Sequence, residues 1–139
     1  MFWLFQGNPK YYKVTEAIRD FEQVPWTVTR YAKEMQLGEG VLVWQSGAKA
    51  GIYAIAAIVG LPELIPNPPD IGYWIDQRSW VQKPCSRIRF NQKLLDRPLL
   101  RSELQQDPVL KDLMVIRQPN STNFKVTAEQ WQRVFELRG

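Results

Sequence analysis

Apolar and polar positions alternate with a strand-like period over much of this 139-residue chain, most clearly between Gly38 and Gly60. Two runs there, Val41–Gln45 and Ile52–Val59, are rich in β-branched and aromatic residues. The short polar segment SGAKAG joins them, and the combination predicts a β-hairpin. Val41 and Val43 alternate with Leu42 and Trp44, while Ile52 and Ile58 share a face with Ala54 and Ala56. Neither strand has a fully polar face. Strands apolar on both sides are covered on both sides, as at the centre of a small barrel or in a sheet with packed helices. The hairpin is therefore expected at the heart of the fold, with its loop beside any binding site.

Around it the same pattern predicts shorter elements. Phe2–Phe5 reads as a strand, closed by Gly7, Asn8 and Pro9. Thr15 is placed to cap a helix over Glu16–Glu22, and Thr29–Met35 reads as a second helix ending at Leu37-Gly38. Leu61–Asp70 holds Pro62, Pro66, Pro68 and Pro69 and is expected to be irregular. It leads into a long loop, Ile71–Pro84, carrying Tyr73, Trp74 and Trp80; loops of that length are commonly functional. Cys85–Leu94 returns to alternation, with Ile88 and Phe90 facing one way and Arg87, Arg89 and Asn91 the other. Asp107-Pro108 opens another short helix, and Leu113–Arg117 reads as a strand. Thr127 and Gln130 form a capping box, stapled by Val126 and Trp131, for a helix to about Leu137. Short strands interleaved with short helices, without repeats or an interior linker, predict one α+β domain over residues 1–139 built on a small barrel.

Composition narrows the function classes. With 45% hydrophobic and 23% charged residues, the chain is apolar enough to fold around its own core. A single cysteine, Cys85, excludes an internal disulfide. The absence of histidine removes His-dependent nucleophile systems, histidine general bases and HExxH metal sites. The glycines at 38, 40, 47 and 51 fit neither Walker nor dinucleotide spacing, so no metal and no cofactor is expected. The start, MFWLF, lacks a basic region and is too short to span a bilayer, which points to a cytoplasmic protein without a membrane partner. The net charge of +4 is concentrated. Between Gln77 and Arg101, Arg78, Lys83, Arg87, Arg89, Lys93, Arg97 and Arg101 face the single acid Asp96. A localised basic surface on a nearly neutral body suits a polyanion, although a solvated strand face has the same composition.

The remaining chemistry is aromatic: six tryptophans in so short a chain leave several for stacking on a ligand. Trp3, Trp44 and Trp131 read as core residues. Trp26 after Pro25, and Trp74 and Trp80 in the long loop, have polar neighbours. Rings projecting from loops can sandwich a nucleobase at about 1–3 kcal/mol each. A base extruded from a duplex needs such a pocket together with groups that read its edge. Arg78, Arg87, Arg89 and the hairpin-loop Lys49 are placed to hold phosphates, as are backbone N–H groups around Ser46-Gly47. Asp70 and Asp76 merely flank the tryptophan loop, and Cys85 has no histidine to activate it, so an enzyme is not expected.

WLFQGNP near the start, then PWTVTRYAKEM, GEGVLVWQSGAKAGIYAIAAIV, YWID and the closing NSTNFKVTAEQW resemble the EVE domain in the right order and over essentially the whole chain. The EVE domain is a member of the PUA-like superfamily and is similar to the YTH readers of modified RNA. The hairpin around WQSG and GIYAI is the most specific part. The resemblance implies a PUA-like pseudo-barrel of about five to six mostly antiparallel strands with peripheral short helices. It also implies a protein that binds nucleic acid, taking a modified nucleobase such as a 5-methylcytosine-type base in DNA into an aromatic pocket. On that pattern Trp26 resembles the first cage tryptophan, Thr27 the polar position after it, and Trp74 and Trp80 the two loop tryptophans. Gln6-Gly7-Asn8 falls where related readers carry a Lys/Ser/Asn-type segment, which makes Asn8 a candidate for the base edge, beside Ser46 and Gly47. Many EVE sequences have a charged Lys-Ser-Glu-like segment there, from which Gln6 and Gly7 depart. Two other classes stay open: an RNA-binding PUA-like module acting on tRNA or rRNA, and a nucleoside-binding protein or enzyme that uses the same pocket.

Overall fold

The computed structural model describes residues 1–75 and 83–139. Its strands are β1 (Phe2–Gly7), β2 (Gln23–Thr27), β3 (Gly40–Gln45), β4 (Gly51–Ile58), β5 (Glu63–Leu64), β6 (Pro84–Lys93), β7 (Leu99–Leu100) and β8 (Asn123–Val126). Four short helices surround them: α1 (Val14–Asp20), α2 (Arg101–Gln106), α3 (Met114–Arg117) and α4 (Ala128–Arg138). The six longer strands form one curled sheet in the order β2-β6-β4-β3-β1-β8, with β5 added to β6 and β7 to β4. Every pairing is antiparallel except β1 with β3. A parallel neighbour requires a long crossover, which residues 8–39 supply. This is the α+β pseudo-barrel that the resemblance implies.

Both faces of β3 are covered, which is why its sequence has no polar side. Val41 and Val43 enter the barrel interior with Trp3, Phe5, Ile18 and Ile88. Leu42 and Trp44 enter a second core with Leu99, Leu104, Leu110 and Val134. In β4 the expected alternation breaks. Val43 pairs with Ala54 but Trp44 pairs with Ile52, so Tyr53 is an inserted bulge residue. Ala54, Ala56 and Ile58 therefore face the interior, while Ile52 joins the second core instead of sharing their face.

The outer strands of the path, β2 and β8, are joined through one buried side chain. Asn123 donates from Nδ2 to the Thr27 carbonyl at 3.2 Å and accepts at Oδ1 from the Thr29 N–H at 2.8 Å and the Arg30 N–H at 3.3 Å. It satisfies three backbone groups that a further strand would otherwise have to pair. No helix covers Thr29–Met35, because left-handed Tyr31 interrupts it. The N–H groups at its start are tied across the seam, Tyr31 is left-handed at φ 63°, and only a 3-10 turn, Ala32–Glu34, remains.

Three further local expectations change. The first helix starts at Val14, and Thr15 donates to the Glu16 carboxylate at 2.6 Å rather than capping it. The proline-rich stretch still contributes β5, whose Glu63 and Leu64 pair with Cys85 and Pro84. Leu113–Arg117 closes into the single helical turn α3 instead of a strand. One cap reading holds in full, at Thr127; at Asp107 the expected helix from Pro108 is only a 3-10 turn, Leu110–Asp112. The Asp107 carboxylate accepts the N–H groups of Val109 (2.9 Å) and Leu110 (3.0 Å), and the Thr127–Gln130 capping box starts α4 with bonds of 3.0 and 3.1 Å. Trp3 and Trp44 are buried as expected, whereas Trp131 is half-buried and stacks on Phe2 at 4.7 Å.

Candidate functional site

Where β1, β2 and β3 end, their chain continuations diverge and leave a cleft of about 550 Å³, within the range of small-ligand sites. Its walls come from Gln6, Gly7, Asn8, Tyr11 and Tyr12 after β1, and from Pro25, Trp26, Thr27 and Thr29 at the exit of β2. Ser46, Trp74, Lys83 and the segment with Pro119, Ser121 and Thr122 complete them. The last segment is held by Gln6, whose side-chain amide donates to the Pro119 and Ser121 carbonyls at 3.0 and 2.6 Å and whose N–H reaches Thr122 O at 2.7 Å.

The aromatic side of the cleft is a chain of three rings. Trp26 lies edge-on to Tyr12 with centroids 5.8 Å apart, and Tyr12 lies 4.9 Å from Trp74. Trp26 is more enclosed than its polar sequence neighbours suggest. It is 5% exposed, packs with the interior core, and donates from Nε1 to the Gln6 carbonyl at 3.2 Å. Gly7 permits this: a Cβ there would stand 2.8 Å from Val14 Cγ2 and 2.9 Å from Trp26 Cζ2. Trp74 is half-buried and more available. It is positioned by a two-residue ladder in which Lys13 N–H bonds Tyr73 O and Ile75 N–H bonds Tyr11 O, both at 2.9 Å. Tyr73 in turn donates to Asp20 at 2.6 Å, anchoring the segment to α1.

Beneath the rings, Tyr12 donates its hydroxyl to buried Asp70, whose other oxygen has no partner among the described residues. Burial, then the neighbouring carboxylate, pushes the Tyr12 hydroxyl far above the ordinary tyrosine range, so it stays a neutral donor. Burial likewise holds the Asp70 carboxyl above the usual carboxylate range, against the pull of the Tyr12 bond. Burial pushes the Cys85 thiol up, leaving it protonated and poorly nucleophilic at neutral pH. Among the described residues, no group of His, Cys, Asp and Glu side chains could hold a metal ion, and no helix is long and apolar enough to cross a membrane.

Of the residues singled out for contact with a base, Asn8, Trp26, Thr27, Ser46 and Trp74 line this one cleft. Gly47 does not. It is exposed at φ 97°, and the preceding Ser46 N–H already bonds Gly7 O at 2.9 Å, so the run of free N–H groups expected there does not form. Asn8 accepts at Oδ1 from the Lys10 N–H at 2.9 Å, an Asx turn on the cleft wall. Trp80 and Arg78 lie outside the described residues.

The remaining cations stand away from the cleft. Lys49 is exposed in the hairpin loop, and Arg87 and Arg89 are exposed on β6, about 13 and 20 Å along the strand from Lys83. Cross-strand register puts Arg87 and Arg89 on the outward face of the sheet with Pro25 and Thr27, which reach the cleft wall, and opposite to the face of Trp26. Arg87 pairs with the cleft residue Pro25, Arg89 with Gln23, and Cys85 with Thr27. Arg87 also makes an exposed ion pair with Glu63 at 3.3 Å, which is worth little in water. Sequence reasoning missed Tyr11, Tyr12, Lys83 as a cleft residue, and Pro119–Thr122. The one local signal was Lys10-Tyr11-Tyr12-Lys13, where basic and aromatic residues interleave.

Comparison with known proteins gives concordant results. The EVE domain family model matches residues 1–137. None of the curated proteins matches the chain in sequence. A hypothetical protein from Leishmania major is similar in structure, with a TM-score of 0.72, 18% identity and coverage of 98% of this chain and 92% of that one. Human THYN1 in complex with 5-methylcytosine-containing DNA is similar at a TM-score of 0.68, 16% identity and coverage of 97% and 95%. The YTH domain of the Zygosaccharomyces rouxii MRB1 protein, in complex with N6-methyladenosine RNA, follows at 0.57, 12% identity and coverage of 98% and 86%.

Proposed function

This chain belongs to the EVE domain family, and on that premise we propose that it binds nucleic acid by receiving a modified nucleobase of the 5-methylcytosine type in the cleft. The observation that carries this reading is the convergence of Trp26, Tyr12 and Trp74 with Asn8, Thr27 and Ser46 around one space of ligand size. Trp74 supplies the free ring face for stacking, and Trp26 with Tyr12 forms the rigid wall behind it. The Asn8 amide and the Thr27 and Ser46 hydroxyls provide donors and acceptors for the base edge. Lys83 at the rim and Arg87 and Arg89 along the outward face of β6 attract the phosphates, while Lys49 adds charge at the hairpin tip. DNA is preferred over RNA as the polymer because human THYN1, the neighbour with methylated DNA, fits the chain more closely than the RNA-bound YTH domain. The unit that carries the function is the single domain 1–139.

Intrinsic tryptophan fluorescence, titrated with single-stranded oligonucleotides carrying one 5-methylcytosine or one cytosine, tests the reading. The wild type quenches with the methylated strand at lower concentration than with the plain one. Trp74→Ala weakens methylated binding roughly ten- to hundredfold, and the exposed Asn8→Ala removes the preference for the methyl base while the circular dichroism spectrum is retained. Equal affinity of the wild type for both strands, or an undiminished preference in Trp74→Ala, overturns it.

A further inference from the structure

Beside the cleft stands an apolar pair that base stacking inside the cleft does not use. Tyr12 and Trp74 form an isolated antiparallel bridge, and the bond from Ile75 N–H to Tyr11 O sets Tyr11 and Ile75 directly opposite each other on the next rung. Successive residues of a strand point to opposite faces. Tyr12 and Trp74 therefore turn inward, and Tyr11 and Ile75 turn out. Tyr11 is 50% exposed and lines the cleft mouth; Ile75 is 57% exposed and lies just beyond it. Two large apolar side chains side by side in water are costly unless a partner covers them.

The charge around them selects the partner. Lys10 and Lys13 flank Tyr11 and Tyr12 in the chain and are exposed, Lys83 stands on the cleft rim, and none of the described lining residues is acidic. A cationic collar around an apolar point suits a polyanion with an apolar interior, which is a stacked nucleic acid. The side-chain type then separates two forms of it. Single strands are held on aromatic platforms, whereas aliphatic side chains such as Ile serve as wedges between base steps of a duplex.

Resting on the modified-base reading above, we infer that the substrate is a base turned out of a double helix, and that Ile75 with Tyr11 enters the stack at the vacated position. The vacated step would otherwise expose the faces of its neighbouring bases, and unstacking costs a few kcal/mol. Filling the gap with an apolar pair recovers part of that cost. The cleft and the wedge share one short ladder, so the distance between the extruded base and the filled gap is fixed by backbone hydrogen bonds.

The test uses short DNA of one sequence containing a central 5-methylcytosine, as a single strand and as a duplex with 2-aminopurine next to the methylated base. Ile75→Ser removes the aliphatic tip from an exposed position without touching a core residue. The expected result is an unchanged affinity for the single strand and about a tenfold loss for the duplex. The rise in 2-aminopurine fluorescence that marks unstacking by the wild type is lost with it. Ile75→Leu retains both duplex affinity and the fluorescence rise. Equal duplex affinity and signal for wild type and Ile75→Ser, with single-strand binding intact, overturns the wedge and leaves the cleft reading standing. Absence of wild-type binding to both the single strand and the duplex overturns the cleft reading itself, and the wedge with it.

Discussion

At the scale of single residues, the cleft depends on what is missing at Gly7. The edge of the Trp26 ring occupies the volume where any side chain would start. Gly7→Ala therefore forces the indole and Val14 apart, with an expected stability loss of about 1–3 kcal/mol by urea denaturation. Because the Trp26 Nε1 bond to Gln6 O is also displaced, the methyl-base preference should fall even where the variant remains folded, measured by the same fluorescence titration. The position could not have been recognised from sequence. Gln6-Gly7-Asn8-Pro9 reads as ordinary turn chemistry, and the requirement comes from a ring nineteen positions downstream. Trp26 itself was picked out by sequence, but as an open face. Polar neighbours in the chain do not report burial when a strand turns one side chain inward and the next one out.

Among elements, one electrostatic joint links α4 to the turn that follows Asp107. Arg133 Nε donates to Asp107 at 2.8 Å while the same carboxylate caps the turn. Burial alone would raise the Asp107 carboxyl, but the Leu110 and Val109 N–H groups and Arg133 together hold it below the usual range. An acid whose folded pKa is depressed stabilises the fold above the unfolded value, near 4, and loses that contribution as pH falls through the folded value. The melting temperature should therefore drop less on acidification from neutral pH to about 3 in Asp107→Asn than in the wild type. Some acid loss persists, because Asp20, hydrogen-bonded by Arg19 and Tyr73 and held at about 2, and Glu39 contribute with the same sign. Asp70 acts in the opposite sense, since a carboxyl raised by burial favours the fold at low pH. The caps at Asp107 and Thr127 were legible because capping is local. The absent helix at Thr29–Met35 was not, because left-handed Tyr31 breaks a segment that Asn123 pins across the seam from 94 and 93 positions away. The misjudged face of Ile52 has the same origin: a bulge at Tyr53 is set by partner strands and shifts a period of two by one.

For the molecule as a whole, the field matters more than any one contact. The basic excess is concentrated between Gln77 and Arg101, a stretch that contains β6, where Arg87 and Arg89 stand exposed on the outward face. Arg89→Ala should lower affinity for methylated and plain oligonucleotides by the same factor, and reduce the slope of log Kd against log salt by somewhat less than one. Arg89 is the cleaner probe, since Arg87 is shared with Glu63. The hairpin, the barrel and the basic strand were visible in sequence because they repeat a simple period over many residues. The cleft was visible only in part, because the side chain of Gln6 meets its partners 113 and 115 positions later. That long reach has a consequence for biosynthesis. A nascent chain still held by the ribosome can pair β3 with β4 and shelter much of its interior, yet one wall of the cleft has not been translated. The cleft is therefore completed late, when Pro119–Thr122 arrives to close against β1.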